Sequence, residues 1–108
     1  MSNLIQYARD QVAEQTGRAY EKAVTAGLLP GGATLRGTIE IPKDPQNGDY
    51  ASSVAMAGAK ALHMAPRAIA QTILDNLELE GTLFDRAEIA GPGFINFFLS
   101  PRWFAQVV

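Results

Sequence analysis

At 108 residues, with 47% of them hydrophobic and 19% charged, the chain is sized for a single domain that buries a real core, not for a disordered tail. It has no cysteine, so disulfides and thiolate metal sites are ruled out, and its single histidine, His63, argues against His-rich metal clusters and a His-based triad. A formal net charge of -2 argues against a strongly basic nucleic-acid footprint, so any nucleic acid must be bound weakly or held mainly by something else.

The N-terminus, Met1-Ser2-Asn3-Leu4, lacks the charged-then-apolar pattern of a signal peptide. No apolar run approaches the roughly 20 residues that span a bilayer, so the expectation is a cytoplasmic protein with no membrane role. Residues 2–27 read as one long helix with Ser2 as N-cap. Leu4, Ile5, Ala8, Val12, Ala19, Ala23 and Val24 recur at helical spacing. Arg9, Asp10, Glu14, Arg18, Glu21 and Lys22 mostly fill the other positions, as on a solvated face. Gly27 ends the helix, and Pro30-Gly31-Gly32 keeps it from restarting.

Residues 36–41 read as a half-buried strand, with Ile39 and Ile41 alternating against Thr38 and Glu40. Pro42 stops it, and Asn47-Gly48 marks a turn in the loop that follows. Asp49 is placed to cap a second helix over 50–63, built largely from small residues. Gly58 within it costs about 1 kcal/mol relative to Ala, which predicts close packing at that point. His63 falls near that helix's end, where a cation favours the dipole. Pro66 suits the first turn of a third helix, whose stripe is Ile69, Ala70, Ile73, Leu74 and Leu77.

Residues 83–90 form a strand with imperfect alternation, and Gly91-Pro92-Gly93 turns it into residues 94–99 as a hairpin. Counted by twos, Ile95, Phe97 and Leu99 share an apolar face, while Phe94, Asn96 and Phe98 share the other. Two readings of that second face stay open. The rings pack under a helix with Asn96 satisfied locally, or a flat ring beside a two-way amide receives a splayed nucleobase. Ser100-Pro101-Arg102-Trp103-Phe104 reads as a cap, a proline at the first helical position and an apolar helix hardly begun at Val108. The expectation is that residues 1–108 are the front domain of a longer protein.

No Walker-type glycine loop is present, and Gly91-Pro92-Gly93 opens a strand instead of a helix, so the dinucleotide fingerprint fails. Glu40, Asp44 and Asp49 lack calcium-loop spacing. No carboxylate pair sits in an apolar setting fit for acid–base work. The residues describe no active site.

Three segments in order carry a family resemblance: Ile39-Glu40-Ile41-Pro42 followed by Gly48-Asp49-Tyr50-Ala51-Ser52; Ala65-Pro66-Arg67-Ala68-Ile69-Ala70; and Ala90-Gly91-Pro92-Gly93-Phe94-Ile95-Asn96-Phe97. Together they resemble the N-terminal additional domain of arginyl-tRNA synthetases. The resemblance implies an α+β, two-layer fold. A small antiparallel sheet of three to four strands has helices packed mainly on one face, in the order α-β-α-α-β-β-α. It implies a non-catalytic tRNA-binding domain of an arginine–tRNA ligase, contacting the D-loop at the outer corner of tRNA(Arg). The class I catalytic domain of the same chain would hold the ATP and arginine sites, leaving this domain without cofactor or metal. An aromatic residue and an amide two positions later contact the D-loop base in that family, and Phe94 and Asn96 match that pattern. Arg36, Lys43 and Arg102 are the expected phosphate neighbours. Where the family often has Asn, this chain has Ser52, which leaves that part of the pattern open. The alternative is a protein-interaction module docking through the Ala-rich helix 50–63 or a sheet edge.

Overall fold

The computed structural model describes residues 4–32, 35 and 37–100. The chain runs α1 (Leu4–Thr25), β1 (Ile39–Glu40), a 3₁₀ turn (Pro45–Asn47), β2 (Tyr50–Ser52), α2 (Val54–Leu62), α3 (Pro66–Asp75), β3 (Phe84–Ala90) and β4 (Phe94–Leu99). The four strands form one antiparallel sheet in the order β1-β2-β4-β3. The class is α+β, as expected. The expected final helix, the Ser2 cap, Arg36 and Arg102 lie outside the described residues.

Helical spacing puts Ala8, Val12, Ala19 and Ala23 of α1 into the core. They meet Leu62 of α2, Ile69 and Ile73 of α3, and Tyr50, Phe84, Ile95 and Phe97 from one side of the sheet. Phe84 stacks edge-on against both Tyr50 and Phe97, with centroids 5.9 and 5.5 Å apart, a geometry that suits the ring quadrupoles. Ile5, expected on the apolar stripe of α1, is instead 57% exposed. Further along, α1 holds the segment that leads into β3. Gln15 accepts from the Glu78 N–H at 3.1 Å, and Gln11 accepts from the Leu83 N–H at 2.9 Å. Gly27 ends α1 as expected, at φ +79°, with the Leu28 N–H donating to Ala23. On α2, Gly58 is buried against Leu35, whose Cδ2 would lie 2.6 Å from an added Cβ.

Three expectations are corrected. Residues 50–52 are strand β2, not the start of a helix, because Tyr50, Ala51 and Ser52 pair with Phe97, Asn96 and Ile95 of β4. Asp49 therefore caps no helix; its carboxylate accepts from the Leu99 N–H at 2.9 Å. The first strand shrinks to Ile39–Glu40, and Ile41, expected to alternate inward, is 54% exposed.

The imperfect alternation of β3 has a local cause. Phe84 pairs with Leu99 and Arg86 with Phe98, so the register shifts between them. This bulge inserts Asp85 and reverses the alternation. Phe84 points into the core, and Arg86 and Glu88 point out.

Candidate nucleic-acid interface

Four contacts bring the distant segments together around β4. Gly93 has φ +146°, and a Cβ there would lie 2.9 Å from Pro66 Cβ, so only glycine lets the hairpin turn seat on the start of α3. The Arg67 guanidinium donates to the Gly91 carbonyl from the same side. Gly48, at φ +89°, passes so close to β4 that an added Cβ would lie 2.9 Å from the Phe97 carbonyl and 3.3 Å from Asn96 Cβ. The Asp49 N–H then donates to that carbonyl at 2.8 Å. The loop after β1 is thereby laid beside the outer side of β4, opposite the helices.

Parity along β4 is as expected. Ile95 and Phe97 are fully buried toward the helices. Phe94, Asn96 and Phe98 face the other way, in register with Ala90, Glu88 and Arg86 of β3. Phe94 is half-buried, while Asn96 is only 4% exposed, with the Gly48 backbone packed close against its Cβ. Its amide is nevertheless uncommitted. Among the described residues the Asn96 carboxamide makes no hydrogen bond, and neither of its polar atoms is sealed from solvent.

Phe94 and Asn96 line one open cleft of about 370 Å³, together with Glu40, Pro42, Asn47, Ala51 and Pro92. That volume falls within the roughly 300–1,000 Å³ of small-ligand sites. The cleft offers a ring, two prolines and Ala51 as apolar walls. Its polar groups are the amides of Asn47 and Asn96, each able to donate and accept, and the acceptor-only carboxylate of Glu40. Such a site can hold a flat heteroaromatic group and satisfy its edge. Its lining among the described residues includes no nucleophile–base pair.

Lys43 is exposed in the loop, one residue beyond Pro42 of the cleft wall. Nothing in the sequence around Glu40, a strand residue, or Asn47, a turn residue, marks them as cleft residues. A larger depression of about 540 Å³ lies between α1 and the β1–β2 side. Its lining includes Leu35 and Gly37 from the segment before β1 and Thr16 and Tyr20 of α1.

Other candidate surfaces are less open. The long edge strand β3 carries exposed Asp85, Arg86 and Glu88 and a bulge, features that discourage strand addition. Val54, Ala55, Gly58 and Leu62 of the Ala-rich helix are already buried within the domain. Among the described residues, no group of His, Cys, Asp or Glu could hold a metal ion, and no helix is long and apolar enough to cross a membrane.

The family described as "Arginyl tRNA synthetase N terminal domain" matches residues 9–99. The arginine–tRNA ligase of Acetivibrio thermocellus is 41% identical over 108 residues, covering 100% of this chain and 19% of that protein. The ligase of Symbiobacterium thermophilum is 41% identical over 105 residues, covering 97% of this chain and 19% of that protein. The chain thus spans about a fifth of the length of the curated relatives it matches. The crystal structure of arginyl-tRNA synthetase from Plasmodium falciparum shares the fold, with a TM-score of 0.68 at 16% identity, over 90% of this chain and 17% of that one. The chain belongs to the arginyl-tRNA synthetase N-terminal domain family.

Proposed function

We propose that residues 1–108 are the tRNA-contacting front domain of a cytoplasmic arginine–tRNA ligase, and that the outer face of β4 receives a D-loop base of tRNA(Arg). The observation that carries this reading is the uncommitted Asn96 amide beside the half-buried Phe94 ring in one open cleft. Phe94 stacks on or wedges against the base. Stacking of this kind is worth roughly 1–3 kcal/mol per base. Asn96 donates and accepts along the base edge, and Lys43 neighbours a phosphate. Arg36 and Arg102 are proposed in the same phosphate role. ATP and arginine are bound elsewhere in the ligase, which joins arginine to tRNA(Arg). This domain supplies recognition, with no catalytic group, cofactor or metal of its own.

The acidic balance of the chain, -2 overall, fits a module that checks one loop while another domain holds the tRNA. The 108-residue chain alone should therefore bind tRNA weakly at moderate salt, and tight binding there would contradict this division of labour. In the ligase, Phe94→Ala and Asn96→Ala should each lower kcat/KM for tRNA about tenfold or more, while KM for ATP and arginine stays unchanged. Unchanged tRNA kinetics in both variants would remove these residues from the site.

A further inference from the structure

The outer face of β4 does not end at Asn96. Two residues on is Phe98, and the Arg86 guanidinium lies over its ring, 3.7 Å from the centroid. Arg86 reaches this ring only because the β3 bulge reverses its direction. Glu88, the next residue on the same side of β3, accepts from Arg86 Nη1. No other hydrogen bond engages the guanidinium among the described residues. Its planar fork is therefore held by a ring below and a carboxylate at one end, with its remaining N–H groups directed to solvent.

At about 3.3 Å per residue, Phe98 lies about 13 Å from Phe94 along the strand. This is a distance of a few nucleotides along an extended RNA backbone. The two sites share one continuous sheet face, and Asn96 lies between them. We infer that Arg86, pre-oriented by Phe98 and Glu88, binds a backbone phosphate of the same RNA strand whose base occupies the Phe94–Asn96 cleft. This inference rests on the proposed tRNA reading and extends it along the strand. A guanidinium matches phosphate geometry, and stacking on a ring leaves its edge free for that bond. Glu88 sets both the orientation and the strength of the contact, since its carboxylate competes with the phosphate for the same cation.

The test is equilibrium tRNA binding by the ligase as a function of salt, with melting temperature as a check on folding. Arg86→Gln should weaken binding about threefold to tenfold and reduce the slope of log K against log salt by about 0.7, the value for one single-strand phosphate contact. The loss should be equal for all D-loop sequences, because a phosphate carries no base identity. Arg86→Lys should keep the salt slope. Glu88→Gln, which leaves Arg86 in place, should tighten binding and steepen the slope. If Phe94→Ala weakens binding while Arg86→Gln leaves both affinity and slope unchanged, the phosphate contact is overturned and the cleft reading stands. If neither variant changes binding, the tRNA reading itself fails, and the phosphate contact with it. If Arg86→Gln weakens binding only for some D-loop bases, Arg86 reads a base and the phosphate assignment is wrong.

Discussion

The two faces of β4 make opposite use of alternate residues on one strand. Ile95 and Phe97 are sealed in the core on the side that α2 and α3 cover, with Phe97 in ring contact with Phe84. Phe94 and Asn96, their immediate neighbours in sequence, line an open cleft, and the Asn96 side-chain amide has no hydrogen-bond partner among the described residues. Composition alone would not separate them, since each face of the strand carries two or more apolar side chains. What separates them is which layer each meets. The inner face meets helices that complete its packing, while among the described residues the outer face meets a short loop, the neighbouring hairpin turn and the Arg86 side chain. The inner face should govern stability and the outer face recognition, and substitutions can set the two against each other.

The largest effect is expected on the inner face. Phe97→Ala empties a fully buried site and should cost about 3–5 kcal/mol in chemical denaturation. A loss below about 1 kcal/mol would mean that the two faces are not as different as described. Gly93→Ala tests what holds the hairpin in place. Its φ of +146° and the 2.9 Å approach to Pro66 predict destabilisation of about 1–3 kcal/mol. The outer-face variants come next and should show the reverse pattern. Asn96→Ala should leave stability within about 0.5 kcal/mol, because it breaks no hydrogen bond, while impairing tRNA use.

A pH effect sharpens the inner face further. Burial pushes the Tyr50 phenol above its ordinary value of about 10; Asp49 adds to the rise and Arg9 opposes it. The neutral phenol is therefore favoured by folding. That contribution is fully present below the unfolded pKa and is lost as pH rises through the higher folded value. Stability of the parent should fall more steeply than that of Tyr50→Phe above about pH 10. Parallel curves would argue against burial as the cause. The smallest effect belongs to the solvated side of α1. The Glu14–Arg18 pair spans 3.0 Å between side chains more than half exposed, and removing it should change stability by only about 0.3–0.5 kcal/mol.

Much of this contrast was legible before any coordinates. Period-two alternation separated Ile95 and Phe97 from Phe94 and Asn96, because a strand's side chains can go only to one face or the other. Proline and glycine marked the ends of α1 and α3 and the hairpin turn. Strand β2 was not legible. Tyr50-Ala51-Ser52 is three residues long and runs almost directly into α2, and its small residues suit a helix as well as a strand. Only pairing with β4 decides its conformation. The crowding of Asn96 was hidden for a similar reason. Parity places it on the outer face, but the loop that approaches it comes from residues 47–48, some fifty positions earlier. Arg86 was hidden by the bulge, since regular alternation would have put it on the same side as Phe84. Long-range register decides all three, and register is set by the assembled sheet.

The central claim is that the outer face of β4 meets tRNA and the inner face does not. Titration of the ¹⁵N-labelled chain with tRNA(Arg), followed by amide chemical shifts, tests this most directly. The account predicts weak binding, with shifts concentrated at Glu40, Asn47, Phe94 and Asn96 and absent at Val12, Ile69 and Ile73. Shifts confined to the helical layer, with the cleft residues unmoved, would contradict it.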